Sequence, residues 1–312
     1  MTKTTFALIG TGVVGERIIN QILAHPNCEI VSVYDENKTR LKEISTKYQI
    51  TASETLDELF KLQPNWVYIG TPPVSHAPLA EQIAAHGLNI LSEKPLAHDS
   101  QDGIRMVKAA SEAKVHTAMH FPLMYSPIVH SLKKAVTTDS LGDIVRIELQ
   151  TYFPHWPRKW QQNPWIASRE QGGFIREIFP HYLQVLYHLF GDFTISTHET
   201  NYPKNEELCE TGVTALAKTE SGIPIVLNSL SGIGQEELLE FKVFGTKKVM
   251  TIRNWSELWE SEADQKATQY IPKSKQESLL DACHSLINGK ESLIVSFEEG
   301  LKVQKWIDQL LK

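Results

Sequence analysis

The chain has 312 residues, 41% hydrophobic and 22% charged, with a formal net charge of −6. That length accommodates two domains of ordinary size, and the acidic balance argues against nucleic acid or an anionic membrane surface as a partner. No apolar run approaches the ~20 residues of a membrane helix, and the widely spaced Cys28, Cys209 and Cys283 offer neither a CxxC pair nor a disulfide framework, which fits a reducing cytoplasm.

Phe6-Ala7-Leu8-Ile9 reads as a buried strand. Gly10-Thr11-Gly12-Val13-Val14-Gly15 follows, and Val14, Ile18, Ile19, Ile22 and Leu23 predict a helix that starts within it. The glycines interrupt the apolar stretch after Lys3, so it reads as a first strand rather than a signal peptide. G-x-G-x-x-G between a strand and a helix permits a tight turn, a close pyrophosphate and close helix packing, with phosphates on the free N–H groups of the helix N-terminus. Ile30–Tyr34 is a second strand ending at Asp35. Asp35 stands about 20 residues beyond the motif, where a ribose-binding carboxylate is expected. A carboxylate there accepts from ribose hydroxyls and repels a 2′-phosphate, which favours NAD over NADP, although Lys38 and Arg40 are near in sequence.

The alternation continues. Thr55-x-x-Glu58 predicts a capping box. Trp66–Ile69 is a strand capped by Gly70-Thr71-Pro72-Pro73-Val74-Ser75-His76, and a helix is expected over 77–86. Ile90-Leu91 fits a short buried strand that ends in Glu93-Lys94-Pro95, since Pro95 has no N–H to continue pairing. Ligands of open α/β sheets bind beyond the carboxyl ends of the strands, which is where Lys94 would sit. A helix over 100–113 and a strand over 115–119 follow. Counting that strand as the sixth, a complete dinucleotide-binding domain is placed at residues 1–120 and a second domain at 121–312.

In the second half a helix is expected over 126–136, and Ile144–Gln150 alternates like a half-buried strand. The Pro-rich loop beyond it holds Tyr152, Phe153, Trp156, Trp160 and Trp165. These rings suit either the apolar faces of a sugar or packing on the protein's own core. Gln171–His181 opens a helix predicted to run to Gly191, kinked by Pro180. Glu177, His181, Gln184 and His188 recur at spacings of four and three and form a polar stripe. A carboxylate beside a histidine fixes its tautomer and raises its basicity. Zinc would need a third ligand, and no HExxH or Cys cluster supplies one, so no metal is expected. Strands are predicted over 195–200, 212–217, 223–230, 239–244 and 249–253, a run typical of an antiparallel sheet. Helices over 275–288 and 297–311 close the chain.

Gly10-x-Gly12-x-x-Gly15, Thr71-Pro72-Pro73-x-x-His76 and Glu93-Lys94-Pro95, in this order, resemble the Gfo/Idh/MocA oxidoreductase family. The resemblance implies an α/β protein: an N-terminal Rossmann domain with a doubly wound parallel sheet, and a C-terminal α+β domain with an open, largely antiparallel sheet. It implies hydride transfer between NAD(H) and a carbinol or carbonyl carbon of a sugar- or cyclitol-like substrate. Two other activities occur among relatives, glycoside hydrolysis with retained NAD and non-catalytic dinucleotide sensing. Cofactor contacts then fall to Gly10, Gly12, Val13, Val14, Gly15, Asp35, Thr71, Pro72, Pro73, His76, Glu93 and Lys94. The family's lysine touches the reacting hydroxyl, and its bond to the proline is often cis. Gly172-Gly173-x-x-x-Glu177-x-x-x-His181 resembles a family motif whose acid is Asp, which assigns catalysis to Lys94, Glu177 and His181. Tyr152, Trp156, Trp165 and Arg176 are the candidate substrate contacts. Met124 stands where many members carry arginine. Members commonly pair through the outer face of the C-terminal sheet, so a homodimer or homotetramer is expected.

Overall fold

In the computed structural model, which describes residues 3–161, 163–272 and 276–312, the apolar runs of the first half become parallel strands. These are β1 (Thr4–Ile9), β2 (Cys28–Tyr34), β3 (Trp66–Ile69), β4 (Asn89–Ser92) and β5 (Thr117–Met119), in the order β2-β1-β3-β4-β5. Phe6 to Ile9, Trp66 to Ile69, and Ile90 with Leu91 are all buried, as a sheet covered on both faces requires. Helices α1 (Val13–Ala24), α2 (Lys38–Tyr48), α3 (Leu56–Lys61), α4 (His76–Ala85) and α5 (Ser100–Ala113) connect them. Their starts follow from local chemistry. Asn37 caps α2 through Thr39 N and Arg40 N, and Asp99 caps α5 through Gln101 N and Asp102 N. Thr55 caps α3, but Glu58 reaches past it to Glu54 N, so the expected box closes one residue early.

The strand expected over 115–119 is present as β5, but it is the fifth of this sheet and not a sixth: the described residues place five strands in it. Beside β2 there is a single parallel bridge, Val33 to Ala52. Only a few residues separate the C-cap of α2 at Gln49 from the N-cap of α3 at Thr55, too short a run for a longer ladder.

The second sheet has the order β13-β12-β11-β10-β6-β9-β8-β7. Its strands are β6 (Ile144–Phe153), β7 (Phe193–Asn201), β8 (Gly212–Thr219), β9 (Pro224–Ser231), β10 (Leu238–Gly245), β11 (Lys248–Arg253), β12 (Glu257–Glu262) and β13 (Thr268–Tyr270). All neighbours are antiparallel except β6 and β9. On one face Ile147, Leu149, Ile225, Leu227, Phe241 and Val243 are buried, whereas Leu216 and Leu230 are exposed on the other. Helices α6 (Pro127–Thr137), α7 (Phe174–Glu177) and α8 (Phe179–Phe190) belong with this sheet, and Tyr182 of α8 stacks on Phe241 (6.1 Å, 20°).

The last helices are α9 (Leu279–Ile287), started by a Ser278–Asp281 capping box, and α10 (Phe297–Leu310). The expected start of the former at Lys275 lies outside the described residues. The chain divides into two units, Met1–Phe121 with Glu277–Lys305, and Pro122–Gln276 with Trp306–Lys312. Residues 277–305, which the sequence places in the second domain, therefore pack with the first. Met119 N bonds Val295 O (2.8 Å), His284 Nδ1 meets Thr4 Oγ1 (2.8 Å), and Gln304 accepts from Ala97 N.

Candidate active site

The chain leaves β1 for β2 on one side and returns to β3 on the other, so the first sheet has its topological switch point between β1 and β3. Gly10 ends β1 there with φ +91, and a Cβ at this position would meet the Gly70 carbonyl at 2.7 Å. At Gly15 a Cβ would run into Gly10 O, so this glycine lets α1 pack onto the loop. Gly12 differs. A Cβ there meets nothing within 4 Å, and as N-cap it makes no side-chain bond to the helix. The loop is thus closed beneath Gly10 and Gly15 and open at Gly12, with Val13 and Val14 exposed beside it. That is the arrangement a pyrophosphate needs.

Asp35, at the end of β2, binds this loop directly. Its Oδ2 accepts from Thr11 N and Thr11 Oγ1, both at 2.8 Å, and Oδ1 accepts from Asn37 N (2.9 Å). Lys38 is held by Glu54 (3.1 Å), and Arg40 by Glu16, Glu43 and Thr11 O. Lys47 and Arg40 hold the Glu16 carboxyl down to about 2, against a smaller upward push from burial.

Beyond β3, Thr71 is half-buried, Pro72 exposed and Pro73 buried. His76, expected to touch cofactor, is 0% exposed. Its Nε2 faces Thr71 O (2.8 Å), and its Nδ1 faces Pro95 O (3.2 Å) and Leu96 O (3.1 Å). With one N–H, the neutral imidazole donates to the loop after β3 or to the loop after β4 and packs against the other, which clamps the two together and leaves no ring nitrogen open to a ligand. Burial pushes its pKa down.

Glu93 likewise points inward. Tyr68 donates to its Oε1 (2.7 Å), His120 Nδ1 contacts the same oxygen, and Lys94 N donates to Oε2 (3.3 Å). Burial raises this carboxyl, but His120, Lys94 and Tyr68 more than reverse that, so it stays ionised below the usual carboxylate range. Lys94 follows, half-buried, and its bond to Pro95 is cis as the resemblance implied. Within the first unit, then, the open Gly12 turn, Asp35, Thr71, Pro72 and Lys94 all stand at the carboxyl ends of β1 to β4.

In the second unit the helix expected from Gln171 to Gly191 is broken, not kinked. Pro180 has no N–H for Arg176 O, so α7 ends at Glu177, Ile178 takes φ −111, and α8 starts with Pro180 in its first turn. Glu177 and His181 therefore flank a break and are not successive residues of one helical stripe. Nor is the stripe solvated. His181 is 8% exposed and Gln184 is buried. His188 faces Lys133 (3.0 Å), and burial followed by the Lys133 charge lowers its pKa to about 4. Trp255 packs perpendicular to the His181 ring (5.2 Å, 89°). Trp255 adopts φ +72 in the β11–β12 turn, uncommon for a bulky residue.

The aromatic loop largely serves the protein's own packing. Trp156 lies against Phe153 (5.0 Å) and Phe174 (5.9 Å) and donates to Ile166 O. Arg158, paired with Glu237 at 3.0 and 2.8 Å, lies over Phe153, Trp156 and Trp255. Trp165 is half-buried, and Tyr152 OH accepts from Asn228 (3.0 Å). Arg176 turns back on its own loop, donating to Arg169 O (3.0 Å) and Gly172 O (3.2 Å). Among the described residues no group of three His, Cys, Asp or Glu side chains is placed to hold a metal ion.

Comparison with known proteins fits this architecture. The model of an oxidoreductase family with an NAD-binding Rossmann fold, Gfo/Idh/MocA, matches residues 4–121, and the model of its C-terminal alpha/beta domain matches residues 133–312. The chain belongs to this family. Relatives include Oxidoreductase P35 of Formosa agariphila, 22% identical over 199 residues (59% of this chain, 61% of that protein). Another is inositol 2-dehydrogenase of Rhizobium meliloti, 22% identical over 197 residues (62% and 57%). These matches thus span less than two thirds of either relative's length. A putative NADPH-dependent oxidoreductase from Desulfitobacterium hafniense has the same fold, with a TM-score of 0.88 at 17% identity over 100% of this chain and 95% of that one. Within the Gfo/Idh/MocA frame, Met124 is a core residue, 3% exposed, so no cation stands in place of the arginine many members carry. The sequence reading missed Tyr68, His120, Arg158, Trp255 and Glu210. Tyr68 alone left a signal, as the one polar side chain in an otherwise apolar strand.

Proposed function

We propose that the chain is an NAD-dependent dehydrogenase or reductase acting on a carbinol or carbonyl carbon of a sugar- or cyclitol-like substrate. The observation that carries this reading is the switch point of the first sheet, where a turn open at Gly12 shares the carboxyl edge with Lys94. The pyrophosphate of NAD would rest on Gly12 and the first N–H groups of α1. NAD is favoured over NADP because Asp35 occupies the ribose position while Lys38 and Arg40 are engaged by Glu54, Glu16 and Glu43. The inositol 2-dehydrogenase among its relatives supports the substrate class.

When bound, NAD supplies the acceptor or donor of hydride at the substrate carbon. Lys94 holds the reacting oxygen and stabilises negative charge developing on it. The buried Glu93 carboxylate keeps a counter-charge near that ammonium. His181 takes the hydroxyl proton in the oxidative direction, and Glu177 supports the imidazolium that forms. The assembly this reading expects is a cytoplasmic homodimer or homotetramer paired through the sheet face that exposes Leu216 and Leu230.

A panel of polyols and sugars with NAD, read by NADH absorbance, tests the activity. Net NADH from a free polyol is expected. Sugar release from a glycoside without net NADH would replace the reading by oxidation–elimination. His181→Ala should lower kcat by roughly 10²–10⁴-fold, the usual contribution of a general acid–base group, with NAD affinity unchanged. A fully active variant would remove the histidine from the mechanism.

A further inference from the structure

Glu210 belongs to no motif, and the mechanism above does not use it. It stands just before β8 and is 1% exposed. The segment leading to it lies along residues 167–169. Cys209 N donates to Ala167 O (2.9 Å), Arg169 N to Glu207 O (2.8 Å), and Ser168 forms an antiparallel bridge with Leu208. This brings the carboxylate under the Gly172–Gly173 turn. Gly173 has φ +97, and a Cβ there would collide with the Glu210 carboxylate, while one at Gly172 would collide with the Ile166 carbonyl. Both glycines are therefore required by what they cover. Glu210 Oε1 accepts from Ile175 N (2.7 Å), a first-turn N–H of α7 that the helix itself cannot satisfy. Glu210 Oε2 and Arg176 Nε are buried without a hydrogen-bond partner among the described residues. Burial lifts the Glu210 carboxyl to about 7, against the pull of the Ile175 N–H, its own N–H and the Arg176 charge.

A buried acid that meets a two-glycine turn on one side and a helix start on the other has no solvent-facing use. Its one strong bond reaches the residue two positions before Glu177. We propose that Glu210 is a positioning residue: its carboxylate seats the Gly172–Gly173 turn and Ile175, and so fixes where Glu177 and His181 stand. The proposal rests on the proton-handling roles given to Glu177 and His181 above.

Reach and charge separate the possibilities. Glu210→Asp keeps the charge and withdraws the acceptor by one methylene, whereas Glu210→Gln keeps the reach and loses the charge. If seating is the role, Glu210→Asp lowers kcat by roughly 10- to 100-fold, the cost of about 1 Å of misplacement. KM for NAD stays unchanged, and hydrogen exchange quickens at Ile175, Glu177 and His181. Glu210→Gln retains most of kcat and wild-type protection at those amides. Gly173→Ala, which displaces the carboxylate from the other side with Glu210 intact, gives the same loss as Glu210→Asp. Wild-type kcat and protection in Glu210→Asp overturn the proposal. Equal loss in Glu210→Gln, or faster exchange spread evenly over the second unit, overturns it too. Quickened exchange at the three amides with undiminished kcat would instead strike out the roles of Glu177 and His181 and leave the seating intact.

Discussion

Removing the Asp35 carboxylate should not convert this protein to NADP, because that side chain does two jobs of unequal size. One, on the proposed NAD reading, is repulsion of a 2′-phosphate. Two unit charges 4 Å apart interact by about 1 kcal/mol in water and about 4 kcal/mol near a protein surface. Asp35 is half-buried and open to salt, so the lower end applies. The other job is holding the glycine loop. Thr11 is 0% exposed, and both its N–H and its hydroxyl donate to Asp35 Oδ2, while Asn37 N donates to Oδ1. Hydrogen bonds to a charged group contribute about 1.5–3 kcal/mol each, and stranding a buried donor costs about 1–3 kcal/mol. Discounting for shared acceptors, Asp35→Ala loses about 2–4 kcal/mol of loop order and gains about 1 kcal/mol of relief. The loop term wins. NAD affinity, titrated by tryptophan fluorescence, should fall roughly 30- to 700-fold, NADP should bind no more tightly than before, and the melting temperature should drop. Asp35→Asn, which keeps one acceptor, should fall between. A variant Asp35→Ala that binds NADP as tightly as the wild type binds NAD, with unchanged melting, would refute the reasoning.

Two further predictions concern stability. Glu210 has a folded pKa of about 7 against an ordinary value of 4.5, so the folded state holds the proton more tightly. Arg176, Tyr202 and Cys209 are the charged and titratable groups that interact with it. Stability from this group is complete below about 4.5 and is lost as pH rises through about 7, roughly 3 kcal/mol in all. In urea titrations Glu210→Gln should lack this slope and exceed wild type at about pH 8; a less stable variant there would count against it. His76→Ala removes the buried ring packed between the carbonyls of Thr71, Pro95 and Leu96 together with its one N–H donation to them. A loss of about 2–4 kcal/mol is expected, with weaker NAD binding although the side chain touches no ligand; wild-type urea midpoints would rule out the clamp.

The parts of the fold legible in the sequence are those where local pattern and tertiary demand coincide. The Phe6–Ile9 and Trp66–Ile69 runs are apolar throughout and lie in a sheet buried on both faces. Strand β12 escapes a reading by pattern because Glu257–Glu262 is half glutamate and its only apolar residues, Leu258 and Trp259, are adjacent rather than alternating, as a strand near a sheet edge can be. The break before Pro180 reads as a kink because the i, i+4 pattern runs through it without interruption. The glycine motif and Asp35 are legible as a ligand site, but the bonds from Asp35 to Thr11 join residues whose pairing no local spacing announces. The same holds for the Tyr68–Glu93–His120 cluster, which draws on three different strands or their ends. His76 reads as a cofactor contact because its motif lies at a strand end, and burial, which decides otherwise, is not a property of the motif.

The return of residues 277–305 to the first unit bears on the order of events during synthesis. The edge strand β5 lends Met119 N to Val295, and Trp66 Nε1 in the central strand β3 donates to Cys283 O. Both partners leave the ribosome only after the whole intervening sheet has been made. The N-terminal module cannot finish folding as it emerges, and a chain truncated near residue 121 would expose the flank that α9 and α10 cover. Contacts of such long sequence separation slow folding and lengthen the exposure of apolar surface. Completion of the nucleotide-binding half is in this way tied to synthesis of nearly the entire chain.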